Sequence, residues 1–109
     1  MDREKLKSRI LAEPEEFTSY LKELLELGRI EDDIALGISR FILSNGLSNL
    51  TDKQWYTFLE KGLIEYNYVE ECERCLINLP WSEMSGAVYL YEDEYCSYCR
   101  HMEEKIKYS

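Results

Sequence analysis

Glu71-Cys72-Glu73-Arg74-Cys75-Leu76 and Tyr95-Cys96-Ser97-Tyr98-Cys99-Arg100 hold all four cysteines of the chain, in two C-x2-C pairs with twenty residues between them. Two residues between thiols let one tight turn aim both sulfurs at a single ion, and a second such turn completes a tetrahedron. Doubled pairs at this spacing mark four-thiolate zinc sites, with Cys72, Cys75, Cys96 and Cys99 as the ligands of one structural ion. Zinc has no geometric preference that opposes such a site, and thiolates bind it in a reducing compartment. An iron centre on the same sulfurs is one alternative. Disulfides or a redox-active pair are another, although the βαβ pattern that accompanies thioredoxin-like chemistry is missing. His101, two residues past Cys99, could replace a cysteine as ligand. With four thiols already spaced for a metal, it reads instead as a residue beside the site or on the surface.

Around these pairs the sequence changes its period. Ile64, Tyr66 and Tyr68 alternate, as do Val88 and Leu90, with Tyr89 and Tyr91 on the opposite face, and such alternation predicts short strands. Residues from Cys99 to about Lys107 return to helical composition. A C-x2-C turn, a region able to form a hairpin (about 76–92) and a second C-x2-C opening a helix resemble a treble-clef or zinc-ribbon-like module over residues 64–109. In that module glycine often follows the second cysteine of a pair, whereas Leu76 and Arg100 stand there in this chain. The stretch from Cys72 to Cys99, with Leu79-Pro80-Trp81-Ser82-Glu83-Met84 between the pairs, is also similar to small uncharacterised zinc proteins of bacteria and their phages. Those resemblances imply a structural zinc and a bacterial or phage source. They imply no chemistry.

Residues 1–63 read as helices. Leu6, Ile10 and Leu11 form a short apolar stripe in a locally basic segment. Pro14 suits the first turn of a second helix, because its missing N–H has no partner to lose there. Phe17, Tyr20, Leu21, Leu24 and Leu25 then follow at helical spacing, and Gly28 fits the left-handed position past the end. A third helix begins near Glu31-Asp32-Asp33, whose charges complement its N-terminus. Its expected buried stripe is Ile34, Ile38, Phe41 and Ile42, closed by Gly46. Thr51 and Gln54 form a capping box for a fourth helix, with Leu50 and Trp55 as a hydrophobic staple. Trp55, Phe58 and Leu59 should face inward, and Gly62 should end that helix. The expected architecture is therefore mostly α with a small β element: a helical bundle of three to four helices over 1–63, and a treble-clef-like zinc module over 64–109 packed on it.

The chain has 109 residues, 22 acids and 13 bases, for a net charge of −9. Such a balance works against phosphate neutralisation, hence against direct nucleic-acid binding, and against docking on anionic membranes. The longest apolar run, Ala87 to Tyr91, has five residues, where a membrane span needs about 20. Met1-Asp2-Arg3-Glu4-Lys5 lacks the apolar stretch of a signal peptide, so a cytoplasmic protein is expected. Four cysteines close a metal site to water, and no phosphate loop, zinc-protease motif or EF-hand pattern is present. No enzyme and no small-molecule substrate are expected. The expected role is interaction with another protein, one with a basic surface, as an inhibitor or regulator of a nucleic-acid-binding partner of the immunity or phage anti-host type. The candidate contact surface comprises Trp81, Tyr89, Tyr91, Glu92, Asp93, Glu94, Tyr95 and Tyr98, aromatic anchors beside an acidic run. The alternative is a helix-turn-helix over 30–44 and 51–61, reading DNA with Lys53, Gln54 and Thr57; its connection is long and its second helix poor in bases.

Overall fold

Local signals account for where the helices begin and end. A computed structural model describes residues 3–108, with side chains through residue 104; Met1, Asp2 and Ser109 lie outside the described residues. The α-helices are α1 (Arg3–Ala12), α2 (Pro14–Glu26), α3 (Asp33–Asn45), α4 (Asp52–Thr57), α5 (Trp81–Ser85) and α6 (Ser97–Tyr108), with π-helical segments at Phe58–Ile64 and Gly86–Leu90. Pro14 opens α2. Gly28 at φ +66 ends it in a Schellman turn, in which Arg29 N–H donates to Leu24 O at 2.9 Å and Gly28 N–H to Leu25 O at 3.2 Å. Asp32 caps α3 by accepting from Ala35 N–H at 2.9 Å. Thr51 and Gln54 complete a reciprocal capping box, Gln54 N–H donating to Thr51 Oγ1 at 3.1 Å and Thr51 N–H to Gln54 Oε1 at 2.9 Å. None of the described helices is long and apolar enough to cross a membrane.

The chain divides into two compact units, Met1–Asn67 and Tyr68–Ser109. In the first, α2 packs on α3, while α1, α3 and α4 all meet the segment Phe58–Ile64. Leu6, Ile10, Phe17, Leu21, Leu24, Phe58 and Leu63 are wholly buried, each removal from water being worth about 1.5–3 kcal/mol. Phe17 and Phe58 meet edge to face with ring centroids 6.0 Å apart. At the end of this unit Asn67 is buried and fully hydrogen-bonded. Its side-chain amide donates to Arg29 O at 3.0 Å and Gly62 O at 2.9 Å, and its Oδ1 accepts from Arg29 Nε at 3.0 Å. Tyr20 hydroxyl donates to Asn67 O at 2.7 Å.

Three expectations for the helices are corrected. The buried stripe of α3 is Ala35, Ile38, Ser39 and Ile42, whereas Ile34 is 67% exposed and Phe41 also reaches the surface. Small residues win the inward face because α3 lies close to the π-helical segment: a Cβ on Gly62 would sit 3.8 Å from Ala35 Cβ and 3.3 Å from the Phe58 ring. Gly62 is thus a close-packing residue, and the helix runs past it to Ile64. Leu11, expected in the stripe of α1, is exposed.

The second unit holds no described strand. An isolated antiparallel bridge joins Glu71 and Asn78, and the expected hairpin over 76–92 is replaced by α5 and the π-helical turn that follows it. Pro80, at φ −63 and ψ 152, opens this helix. Trp81, Met84 and Ala87 then recur at every third residue on the buried side, a helical face that the alternation of Val88 and Leu90 conceals. Residues 64–68 are likewise not a strand: Ile64 ends the π-helical segment, and Tyr68 is buried with its ring 5.6 Å from that of Trp81.

Candidate metal centre

Cys72 and Cys75 sit on a turn whose backbone is closely tied. Cys72 N–H donates to Ile77 O at 2.8 Å, Leu76 N–H to Cys72 O at 2.9 Å, and Leu79 N–H to Glu70 O at 3.0 Å. Cys96 and Cys99 lie at the start of α6, where Cys99 N–H points at Cys96 Sγ from 3.4 Å and Arg100 N–H donates to Cys96 O at 3.0 Å. Glu83, on α5, accepts from Ser97 N–H at 2.5 Å and so holds the first turn of α6. The four sulfurs all lie within 4.8 Å of one another, and Cys75 Sγ is 3.8 Å from Cys96 Sγ. A tetrahedron with metal–sulfur bonds of about 2.3 Å has edges of about 3.8 Å. The same separation is far beyond the roughly 2.05 Å of a disulfide, and all four cysteines are free. The cluster can therefore hold a metal ion. Cys72, Cys96 and Cys99 are buried and Cys75 is exposed. His101 is exposed and stands outside the sulfur group.

Electrostatics divide the sulfurs. Burial would push the Cys72 thiol up, but backbone N–H groups of Cys75, Cys96 and Arg74 aimed at its sulfur outweigh it and bring the pKa to about 6. Burial, together with the neighbouring sulfurs, pushes Cys99 up to about 12, and burial also raises Cys96. The sulfurs are thus unequal: backbone N–H groups favour the charged form of Cys72, whereas burial disfavours charge on Cys96 and Cys99. Loading such a site releases protons and favours neutral over acidic solution.

The loop between α5 and α6 is fixed by Arg100. Its guanidinium donates to Asp93 through Nε at 2.7 Å and Nη2 at 3.0 Å, and to Tyr95 O at 3.0 Å. It lies 4.3 Å from the Tyr91 ring centroid. A Cβ on Gly86 would come within 3.1 Å of it. Arg100 is helical, as expected where the second C-x2-C opens a helix, and it ties the loop to α6, at whose start Cys96 and Cys99 lie.

The candidate contact surface is rearranged. Trp81 is buried core, packed on Tyr68, and leaves the surface. Asp93 is paired with Arg100 rather than displayed as a free charge. Tyr89 and Tyr95 are half-buried, whereas Tyr91, Tyr98, Glu92 and Glu94 are exposed. The Gln54 side chain of the helix-turn-helix alternative is engaged in its capping box. Glu83 and Ile77 did not stand out by spacing; Leu76 and Arg100 were marked only by the missing glycine after Cys75 and Cys99.

No family model matches the chain, and neither a curated protein nor a solved structure is significantly similar to it.

Proposed function

We propose that the chain is a non-enzymatic interaction protein whose second unit is held together by one structural zinc ion on Cys72, Cys75, Cys96 and Cys99. The convergence of four sulfurs at tetrahedral spacing carries this reading. Zinc suits the set because it is soft enough for thiolates and takes four ligands without geometric strain. All four positions are then protein sulfurs, leaving no place for an activated water. The arrangement is treble-clef-like in its two ligand-bearing parts, a bridged turn and a helix start, with α5 where the hairpin would stand. Native mass spectrometry should find one zinc per chain, lost to a strong chelator; a folded chain with no affinity for zinc would end the proposal.

The partner we propose is a protein with a basic surface, such as a nucleic-acid-binding protein that this chain inhibits or regulates. Support comes from the net charge of −9, to which a divalent ion on four thiolates adds two further negative charges, and from exposed Tyr91, Tyr98, Glu92 and Glu94. Charge steers encounter and aromatic burial slows dissociation. Affinity capture from the native host should retain basic proteins that elute with salt, and Glu92→Lys with Glu94→Lys should flatten that salt dependence. Retention of acidic proteins, or a salt response unchanged in the metal-loaded variant, would overturn it.

A further inference from the structure

Leu76 combines two features that seldom coincide. Its backbone is left-handed at φ +65, a region that favours glycine because a Cβ crowds the neighbouring carbonyl. Its side chain is 67% exposed, and that of the following Ile77 is 49% exposed. Most of Leu76 therefore lies outside the core, and burial within the chain does not offset the strain of its backbone. Both residues crown the turn of Cys72 and Cys75, held in place by hydrogen bonds from Leu76 N–H to Cys72 O and from Cys72 N–H to Ile77 O, and by the bridge between Glu71 and Asn78. The result is an apolar knob whose backbone is held by hydrogen bonds within the turn.

Its surroundings are acidic. Glu71 and Glu73 are exposed on either side of Cys72. Glu73 N–H donates to Glu94 O at 2.9 Å, which brings the exposed Glu94 to the same edge. Arg74 is the base of this turn, and it is paired with Glu103 at 3.2 Å.

We infer that Leu76 and Ile77 are the apolar anchor of the partner-binding surface, and that they fit an apolar pocket rimmed by lysine or arginine on another protein. This rests on the proposed interaction with a basic partner and places its anchor. Interface hot spots are central apolar side chains ringed by polar contacts, and a preformed knob loses little entropy on docking. An acidic rim selects a basic-rimmed pocket and disfavours an anionic lipid surface.

The test uses random peptides displayed on phage and selected on the immobilised, zinc-loaded full chain, followed by affinity measurements on synthetic copies of the enriched peptides. Enriched peptides should combine aliphatic or aromatic residues with several lysines or arginines. Leu76→Gly and Ile77→Ser should each weaken them about tenfold or more. Chelator competition should show zinc held by Leu76→Gly as tightly as by the wild type, or more tightly, because glycine relieves the left-handed strain. No cationic enrichment would overturn both this inference and the basic-partner reading. Cationic peptides that bind both variants as tightly as wild type, yet are lost with Glu92→Lys and Glu94→Lys, would overturn the anchor alone. A Leu76→Gly chain that releases its zinc would give Leu76 a structural role and likewise overturn the anchor.

Discussion

The two units reach order by different routes. The first buries fourteen hydrophobic side chains from Leu6 to Leu63, and its positive-φ residues are the glycines Gly28 and Gly46. Among its described residues the second buries eight that are hydrophobic, three of them Cys72, Cys96 and Cys99. It also holds Leu76, Glu92 and Glu94 at positive φ, each costing about 1–2 kcal/mol against an ordinary backbone. One unit is self-packed and relaxed; the other combines a thin apolar core with local strain. A metal held by the four sulfurs would compensate for both deficits. The difference teaches where a metal would matter most: in the unit whose buried residues include three of the four cysteines that could hold it.

Removing the metal should break the comparison most violently. Structural zinc contributes about 10–16 kcal/mol in small modules, comparable with or above the total stability of a domain of this size. Chelation or Cys72→Ser should abolish hydrogen-exchange protection across residues 68–108 while leaving it across α2 and α3. Uniform loss of protection would show that the units stand or fall together.

Phe58→Ala attacks the other side. It empties a wholly buried ring site against Phe17 and should cost about 3–5 kcal/mol, read as a lower urea midpoint for the helical signal. Zinc stoichiometry by native mass spectrometry should be unchanged.

Asn67→Ala probes the stop of the first unit and should cost about 2 kcal/mol, because Arg29 O and Gly62 O lose their donor in a buried place. The same urea titration measures it. A loss below about 0.5 kcal/mol would mean that water replaces the amide.

The smallest effect is electrostatic. Burial would raise the Asp93 carboxyl, but Arg100 and the Tyr95 N–H outweigh it and hold it below the usual carboxylate range. Its stabilisation is therefore complete above an unfolded pKa of about 3.9 and is lost as pH falls through the lower folded value. Asp93→Asn should cost about 1 kcal/mol near neutrality, and the gap from wild type should narrow as salt is added. Parallel urea titrations near pH 7 at low and high salt would reveal a gap indifferent to salt if the pair contributes nothing through charge.

Legibility in the sequence followed the range of the interactions. Pro14, Gly28, Asp32 and Thr51 act on neighbours within four residues, so both ends of α2 and the starts of α3 and α4 could be read directly. The four sulfurs could be read because a C-x2-C turn carries its own geometry. Which face of α3 turns inward could not, because Ala35 is chosen by the space that Gly62 leaves on another helix. The helix at Trp81 was concealed for a different reason: Ala87 to Tyr91 is a short apolar run, and periodicity alone does not separate a buried helical turn from a strand. Arg100 and Asp93 are seven residues apart, across the end of a helix, and no local pattern announces such a pair.

The unequal depth of the ligands also bears on rates. Cys75 is exposed while Cys72, Cys96 and Cys99 are buried, so a competing thiol or chelator would approach the centre from the side of Cys75. Exchange of any ion held there would begin by detaching that one sulfur, with three buried ligands still in place. How long the ion stays is then governed by the ease with which one turn opens, and two variants of equal affinity could differ widely in how quickly they surrender it.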